Sequence, residues 1–105
     1  MDARVEPVAV YVLGLIAEEA GEVSQAAGQA LRFGLDTPAD QVLSARQRLT
    51  KELGDMFAAT HYAAMLGLIS IDEVHRIGHA KLGKLLDQSQ KDNLGRPLAP
   101  LPEGS

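Results

Sequence analysis

Residues 7–33 read PVAVYVLGLIAEEAGEVSQAAGQALRF, and this stretch decides the fold. Leu13, Ile16, Ala20, Val23, Ala27 and Leu31 recur at spacings of three and four residues, the signature of one apolar helical face. Pro7 suits a first helical position, where its missing N–H leaves no gap. Gly34 is a natural stop at the far end. The spacing therefore predicts a helix over Pro7 to Phe33. Gly14, Gly21 and Gly28 fall seven apart on it, with Ala17 and Ser24 between them. Each glycine costs a helix about 0.5–1 kcal/mol relative to alanine, so three in line suggest close approach of another helix, against simple tolerance of glycine.

Two more helices follow. Asp36-Thr37-Pro38-Ala39-Asp40 predicts an N-terminus, with Thr37 as cap, Pro38 as first helical residue and Asp40 at the positive helix end. Leu49, Leu53, Met56, Phe57, Ala64 and Leu68 carry its apolar face to about Gly67, with a break at Ser44-Ala45 left open. Ser70-Ile71-Asp72-Glu73 reads as a capping box opening a third helix to about Gln90, apolar at Val74, Ile77, Leu82, Leu85 and Leu86. These elements define an all-α domain over residues 1–92. Residues 93–105 form a Pro/Gly-rich extended tail with Gly95, Pro97, Pro100, Pro102 and Gly104.

Composition agrees with this class and narrows the function. The 105 residues are 46% hydrophobic but only 4% aromatic, a poor inventory for a β-sandwich. So short a chain buries only about two thirds of its unfolded surface. Helices rich in Ala and Gly bury less, so a homo-oligomer is expected. A net charge of −4 argues against a nucleic-acid partner. Zero cysteines exclude disulfides and thiolate metal sites. No apolar run approaches the ~20 residues of a membrane span, and the mixed, charged N-terminus lacks a signal-peptide pattern. The expectation is a cytoplasmic protein.

The acidic residues carry the chemistry. Glu18, Glu19 and Glu22 project from neighbouring turns of one side, and no Lys or Arg occurs between Val5 and Leu31. Glu52 and Asp55 form a second pair three apart. At about 100° per residue, Glu19 borders its helix's apolar face, and Glu52 and Asp55 sit beside Leu49, Leu53 and Met56. Antiparallel helices would bring the pairs face to face as a site of four carboxylates. Such a cluster is costly unless cations fill it, and all-oxygen ligands select hard ions, Mg²⁺ or Mn²⁺. The physical reading is a Mg²⁺-dependent phosphate-transfer or hydrolysis site. The plainer reading is two solvated acidic faces, and the matching seam position of the second pair argues against it.

Glu18-Glu19-x-x-Glu22 followed by Glu52-x-x-Asp55 resembles the signature of the MazG-like, all-α nucleoside triphosphate pyrophosphohydrolases. Ile16 to Val23 and Lys51 to Met56 match in surrounding text, and Glu73-Val74-His75-Arg76 with Lys81-Leu82 looks like the family's third-helix segment. Gly78 stands where relatives carry Asn, and the gap from Glu22 to Glu52 is toward the long end. The resemblance covers roughly residues 10–86. It implies three main helices in a bundle completed by homo-oligomerisation, a tetramer in preference to a dimer. It implies hydrolysis of a (d)NTP to the monophosphate and pyrophosphate by a metal-activated water attacking the α-phosphorus. Glu19, Glu22, Glu52 and Asp55 would ligate two or three Mg²⁺ or Mn²⁺ ions per site. Glu18 would be an added ligand or water-orienting base, and Glu22 and Lys81 would also serve catalysis. Lys81 and Lys84 would hold the phosphates, and Lys51, from the basic patch before the second acidic pair, is a further phosphate candidate or simply solvated. Phosphoribosyl-ATP pyrophosphohydrolase, which shares the acidic motif, is the alternative within enzymes. A non-catalytic helical interaction module is the alternative outside them.

Other residues weigh less. His75 and His79 are four apart, yet no acid–histidine spacing supports a zinc site. No nucleophile elbow and no phosphate-cradling loop occurs. Arg46 and Arg48 join Lys51 in a short basic patch before the second acidic pair. Tyr11, Phe33, Phe57 and Tyr62 are candidates to line a base pocket, with core packing the better reading for Phe57.

Overall fold

A computed structural model describes residues 6–38 and 42–91, and these hold three helices and no strand. They are α1 (Pro7–Phe33), α2 (Ala45–Met65) and α3 (Ile71–Lys91). The expected role of Asp40 and the extended tail at 93–105 lie outside the described residues. The chain divides into two compact units, Met1–Ile71 and Asp72–Ser105.

α1 has the predicted bounds. Pro7 follows an extended Glu6, and the Val10 N–H reaches the Glu6 carbonyl at 2.9 Å. Gly34 closes the helix at φ +94°, donating its N–H to the Ala30 carbonyl at 2.8 Å. That φ lies in the region L side chains avoid, which is why glycine stands there.

The start of α2 corrects the sequence reading. Thr37 and Pro38 do not open the helix. Ser44 caps it, accepting from the Gln47 N–H at 3.1 Å while the Gln47 side chain accepts from the Ser44 N–H at 2.9 Å. Thr37 and Pro38 belong to the connection. The Thr37 hydroxyl donates to the Phe33 carbonyl, and Pro38 pairs with Ser44 in an isolated bridge. The Ala45 and Arg46 N–H groups, which a helix start leaves unpaired, donate to the Thr37 and Leu35 carbonyls at 2.9 and 2.7 Å. Arg46 also grips Asp36 at 3.1 Å, which holds that carboxyl below its usual range. α2 ends in a Schellman motif, with the Leu68 and Gly67 N–H groups on the Ala63 and Ala64 carbonyls and Gly67 at φ +78°.

Within the first unit α1 and α2 run antiparallel. Leu15 lines one cleft with Ala59 and Tyr62, while farther along α1 Gln29 lines another with Arg48. The seam between them is made of small residues. Ala9, Val12 and Ala26 are buried on α1, and Ala45, Ala59 and Ala63 on α2. Val12, Glu19 and Ala26 stand seven apart, as do Ala45, Glu52 and Ala59. Seven residues are close to two turns, so each line runs along one side of its helix. A carboxylate thus occupies the middle of an alanine-lined seam on both helices.

This seam is rotated from the expected apolar faces. Leu13 and Leu31 of α1 and Leu53 and Phe57 of α2 are exposed, and Ala20 with them. Close helix approach favours alanine at the contact, which turns the larger side chains outward. The glycine stripe is not a contact within the described chain, because a Cβ on Gly14, Gly21 or Gly28 would meet nothing within 4 Å. In the second unit α3 carries Asp72 and Glu73 in its first turn, where they suit the helix dipole. Arg76 donates to Glu73 at 2.7 and 2.9 Å. Val74, Ile77, Leu82, Leu85 and Leu86 are exposed.

Candidate metal centre

α1 brings Glu19 and Glu22 to the seam on successive turns, and α2 brings Glu52 and Asp55 opposite them. One carboxylate oxygen from each of the four lies within 4.8 Å of the others. Glu52 is only 3% exposed, while Glu19, Glu22 and Asp55 are half-buried. Like charges this close raise one another's energy, and burial adds a desolvation cost.

Two oxygens make the imbalance concrete. Glu19 Oε2 and Glu52 Oε2 are buried without any hydrogen-bond partner. A buried acceptor left unpaired costs about 1–3 kcal/mol, more when charged. The ionisation behaviour follows. Burial, and then the charges of Asp55, Glu18 and Glu52, push the Glu19 carboxyl above its ordinary range. Glu22 is pushed up chiefly by a hydrogen bond with the Glu52 carboxyl and by its charge.

The cations nearby offset only part of this. Lys51 Nζ lies 2.8 Å from Asp55 and 3.7 Å from Glu52, and Arg48 lies 3.5 Å from Glu52. The bond to Asp55 raises the Lys51 ammonium above its ordinary pKa. Lys51 opposes the rise at Glu19 through its charge, but neither cation gives the Glu19 oxygen a hydrogen bond. A divalent cation among these oxygens would satisfy both unpaired atoms. An all-carboxylate donor set fits a hard ion, Mg²⁺ or Mn²⁺.

Two clefts flank the cluster along the seam. One, of about 420 Å³, is lined by Gln25, Gln29, Arg48 and Lys51 beside Glu22 and Glu52. The other, of about 450 Å³, is lined by Leu15, Ala58, Ala59 and Tyr62 beside Glu19 and Asp55. Of the predicted residues, Glu19, Glu22, Glu52, Asp55 and Lys51 come together. Glu18 is exposed and outside the four-oxygen group, acting on Glu19 and Glu22 through its charge alone. Lys81 and Lys84 belong to α3, in the other unit. Arg46 turns away to Asp36.

Gln25 and Gln29 were not among the sequence candidates. Their spacing from Glu22, three and seven residues, puts them on its helix face and was the available signal. Arg48, four residues before Glu52, was legible only as part of a basic patch. Tyr62 does line a cleft. Phe57 is not core: it is 62% exposed and rests on His61 with ring centroids 4.1 Å apart. Phe33 is exposed beneath the Arg32 guanidinium, and Tyr11 is exposed. Among the described residues no other group of three or more His, Asp or Glu side chains is gathered this way, so His75 and His79 form no such site. No described helix is long and apolar enough to cross a membrane. No protein-family model, curated protein or solved structure matches this chain.

Proposed function

We propose that this chain is a divalent-metal-dependent nucleoside triphosphate pyrophosphohydrolase, converting a (d)NTP and water to the (d)NMP and pyrophosphate. One observation carries the reading. Two helices each place a carboxylate at the centre of an alanine seam, and each carboxylate keeps a buried oxygen with no partner. A solvated acidic face has no reason to bury such groups, and an interaction module gains nothing from four converging acids. The resemblance of Glu18-Glu19-x-x-Glu22 and Glu52-x-x-Asp55 to the MazG-like signature supports the same conclusion.

In this reading Glu19, Glu22, Glu52 and Asp55 hold Mg²⁺ or Mn²⁺. The bound ion supplies a Lewis acid for the phosphate oxygens and a water of lowered pKa. Arg48 and Lys51 offset the negative charge of the triphosphate from the adjoining cleft. Glu18, outside the ligand group, orients the attacking water and accepts its proton. The bond broken joins the α-phosphorus to its bridging oxygen, and that oxygen leaves with pyrophosphate. Lys81 and Lys84 are proposed as further phosphate contacts. The exposed Leu13, Leu53 and Phe57 support completion of the helical bundle by a homo-oligomer, a tetramer in preference to a dimer. The reading makes the protein a cytoplasmic enzyme of nucleotide pools.

The test is pyrophosphate release from a panel of ribo- and deoxyribonucleoside triphosphates with Mg²⁺, Mn²⁺ or EDTA, with phosphoribosyl-ATP as a separate arm. The expected result is metal-dependent formation of monophosphate and pyrophosphate, lost in Glu22→Gln. No release from any triphosphate by folded, metal-supplied protein would overturn the reading.

A further inference from the structure

We propose that Lys51 is a stand-in for the cation, holding Asp55 in the ion-free chain and turning into the neighbouring polar cleft as an anion-binding group when Asp55 ligates a divalent ion. This rests on the reading of the four carboxylates as an ion site, which the buried and unpartnered Glu52 Oε2 supports independently of Lys51. The ammonium keeps its charge throughout, and only its partner changes.

Three observations on Lys51 lead there. First, its Nζ already sits where positive charge is needed, 2.8 Å from Asp55 and 3.7 Å from Glu52. Second, its hold is weak. The pair is largely in water, with side chains 54% and 41% exposed. Exposed pairs contribute little, and lysine preceding its acid at i,i+4 is the less favourable order. An ion-ligating Asp55 therefore gives up Lys51 at small cost. Third, Lys51 also lines the polar cleft with Arg48 and Gln29. A flexible four-carbon stem carries the ammonium between the two positions without backbone movement. One ammonium cannot serve Asp55 and a phosphate oxygen fully at once. The exchange thus links the filling of the ion site to the readiness of the cleft for an anion. Arg48, whose guanidinium lies 3.5 Å from Glu52, lines the same cleft.

The test uses the full chain with ¹⁵N-labelled lysine. The Lys51 ammonium resonance is assigned by its loss in Lys51→Met. The chain is titrated with Mg²⁺ alone and then with inorganic pyrophosphate, and calorimetry runs in parallel. Mg²⁺ should shift the Lys51 resonance, and pyrophosphate should shift it again in a distinct direction. Lys51→Met should bind Mg²⁺ roughly two- to five-fold more tightly, because a weak competitor is gone. It should bind pyrophosphate in the presence of Mg²⁺ about tenfold more weakly, because a charge-assisted contact is lost. Mg²⁺ binding with an unmoved Lys51 resonance would overturn the exchange and leave the ion site standing. No Mg²⁺ binding by the folded chain would remove the ion site, and the exchange with it.

Discussion

Replacing Glu52 by glutamine should stabilise the ion-free protein. Glu52 is 3% exposed, keeps an unpartnered Oε2, and lies within 4.8 Å of three other carboxylate oxygens. At an effective dielectric of about 20, a like-charged pair at that distance costs about 3 kcal/mol before solvent screening, and the Glu22–Glu52 pair escapes part of this by sharing a hydrogen bond. Glu19, Glu22 and Asp55 are half-exposed, so much of that cost is relieved. Glutamine removes the charge at nearly constant shape. The change also sacrifices the contacts with Arg48 and Lys51 at 3.5 and 3.7 Å. These involve partly exposed cations and contribute about 0–1 kcal/mol each. The balance is a gain of about 1–3 kcal/mol, a rise in Tm of roughly 5–15 °C for a domain of this size. Thermal unfolding followed by circular dichroism in EDTA reads it. Adding Mg²⁺ or Mn²⁺ should raise the Tm of the wild type and leave the variant almost unmoved. A variant less stable than wild type in EDTA would refute the reasoning. Glu52 would then be a satisfied structural partner of Arg48 and Lys51.

Three further expectations follow from the same geometry. Glu19 and Glu22 titrate above their ordinary value of 4.5, so the folded, ion-free chain binds more protons than the unfolded one in that window. Stability in EDTA should therefore rise as pH falls from neutral toward that window, and excess Mg²⁺ should reverse the trend because the ligands must be ionised; Tm compared at neutral and mildly acidic pH checks this. Gly14→Ala, Gly21→Ala and Gly28→Ala should each add about 0.5–1 kcal/mol in urea unfolding, since the new methyl meets nothing within 4 Å. Destabilisation together with a smaller assembly in light scattering would show that another chain packs on that stripe. Ser44→Ala should cost about 1 kcal/mol by removing one half of the Ser44–Gln47 exchange, whereas Thr37→Ala should leave the start of α2 intact, read by hydrogen exchange of the Gln47 amide.

The limits of α1 were legible because Pro7 and Gly34 act locally, and Gly67 ended α2 for the same reason. The start of α2 was not. Thr37-Pro38 and Ser44 with Gln47 are both sound capping patterns, and the choice between them rests on contacts across the connection. Those are Arg46 with Asp36 and the Ala45 and Arg46 amides with Thr37 and Leu35. The rotation of the two helices was not legible. Hydrophobicity weights leucine over alanine, yet the seam is built on alanine, and Leu13 and Leu53 turn out of it. The rotation is also what carries Glu19 and Glu52 inward. Each acidic pair was legible because residues three apart on a helix stay together whatever the tertiary structure, whereas the meeting of the two pairs depends on the α1–α2 seam. The glutamine side of the cleft depends on which residues of α1 and α2 face each other, which spacing within one helix does not state.

The most direct test of the central claim is a Mn²⁺ titration of the purified chain, with free ion followed by electron paramagnetic resonance. The account predicts saturable binding at the α1–α2 seam, abolished in Glu52→Gln and Glu22→Gln and retained in Glu18→Gln. A folded wild-type chain that leaves the free Mn²⁺ signal undiminished, or a Glu52→Gln chain that binds as wild type does, would contradict it.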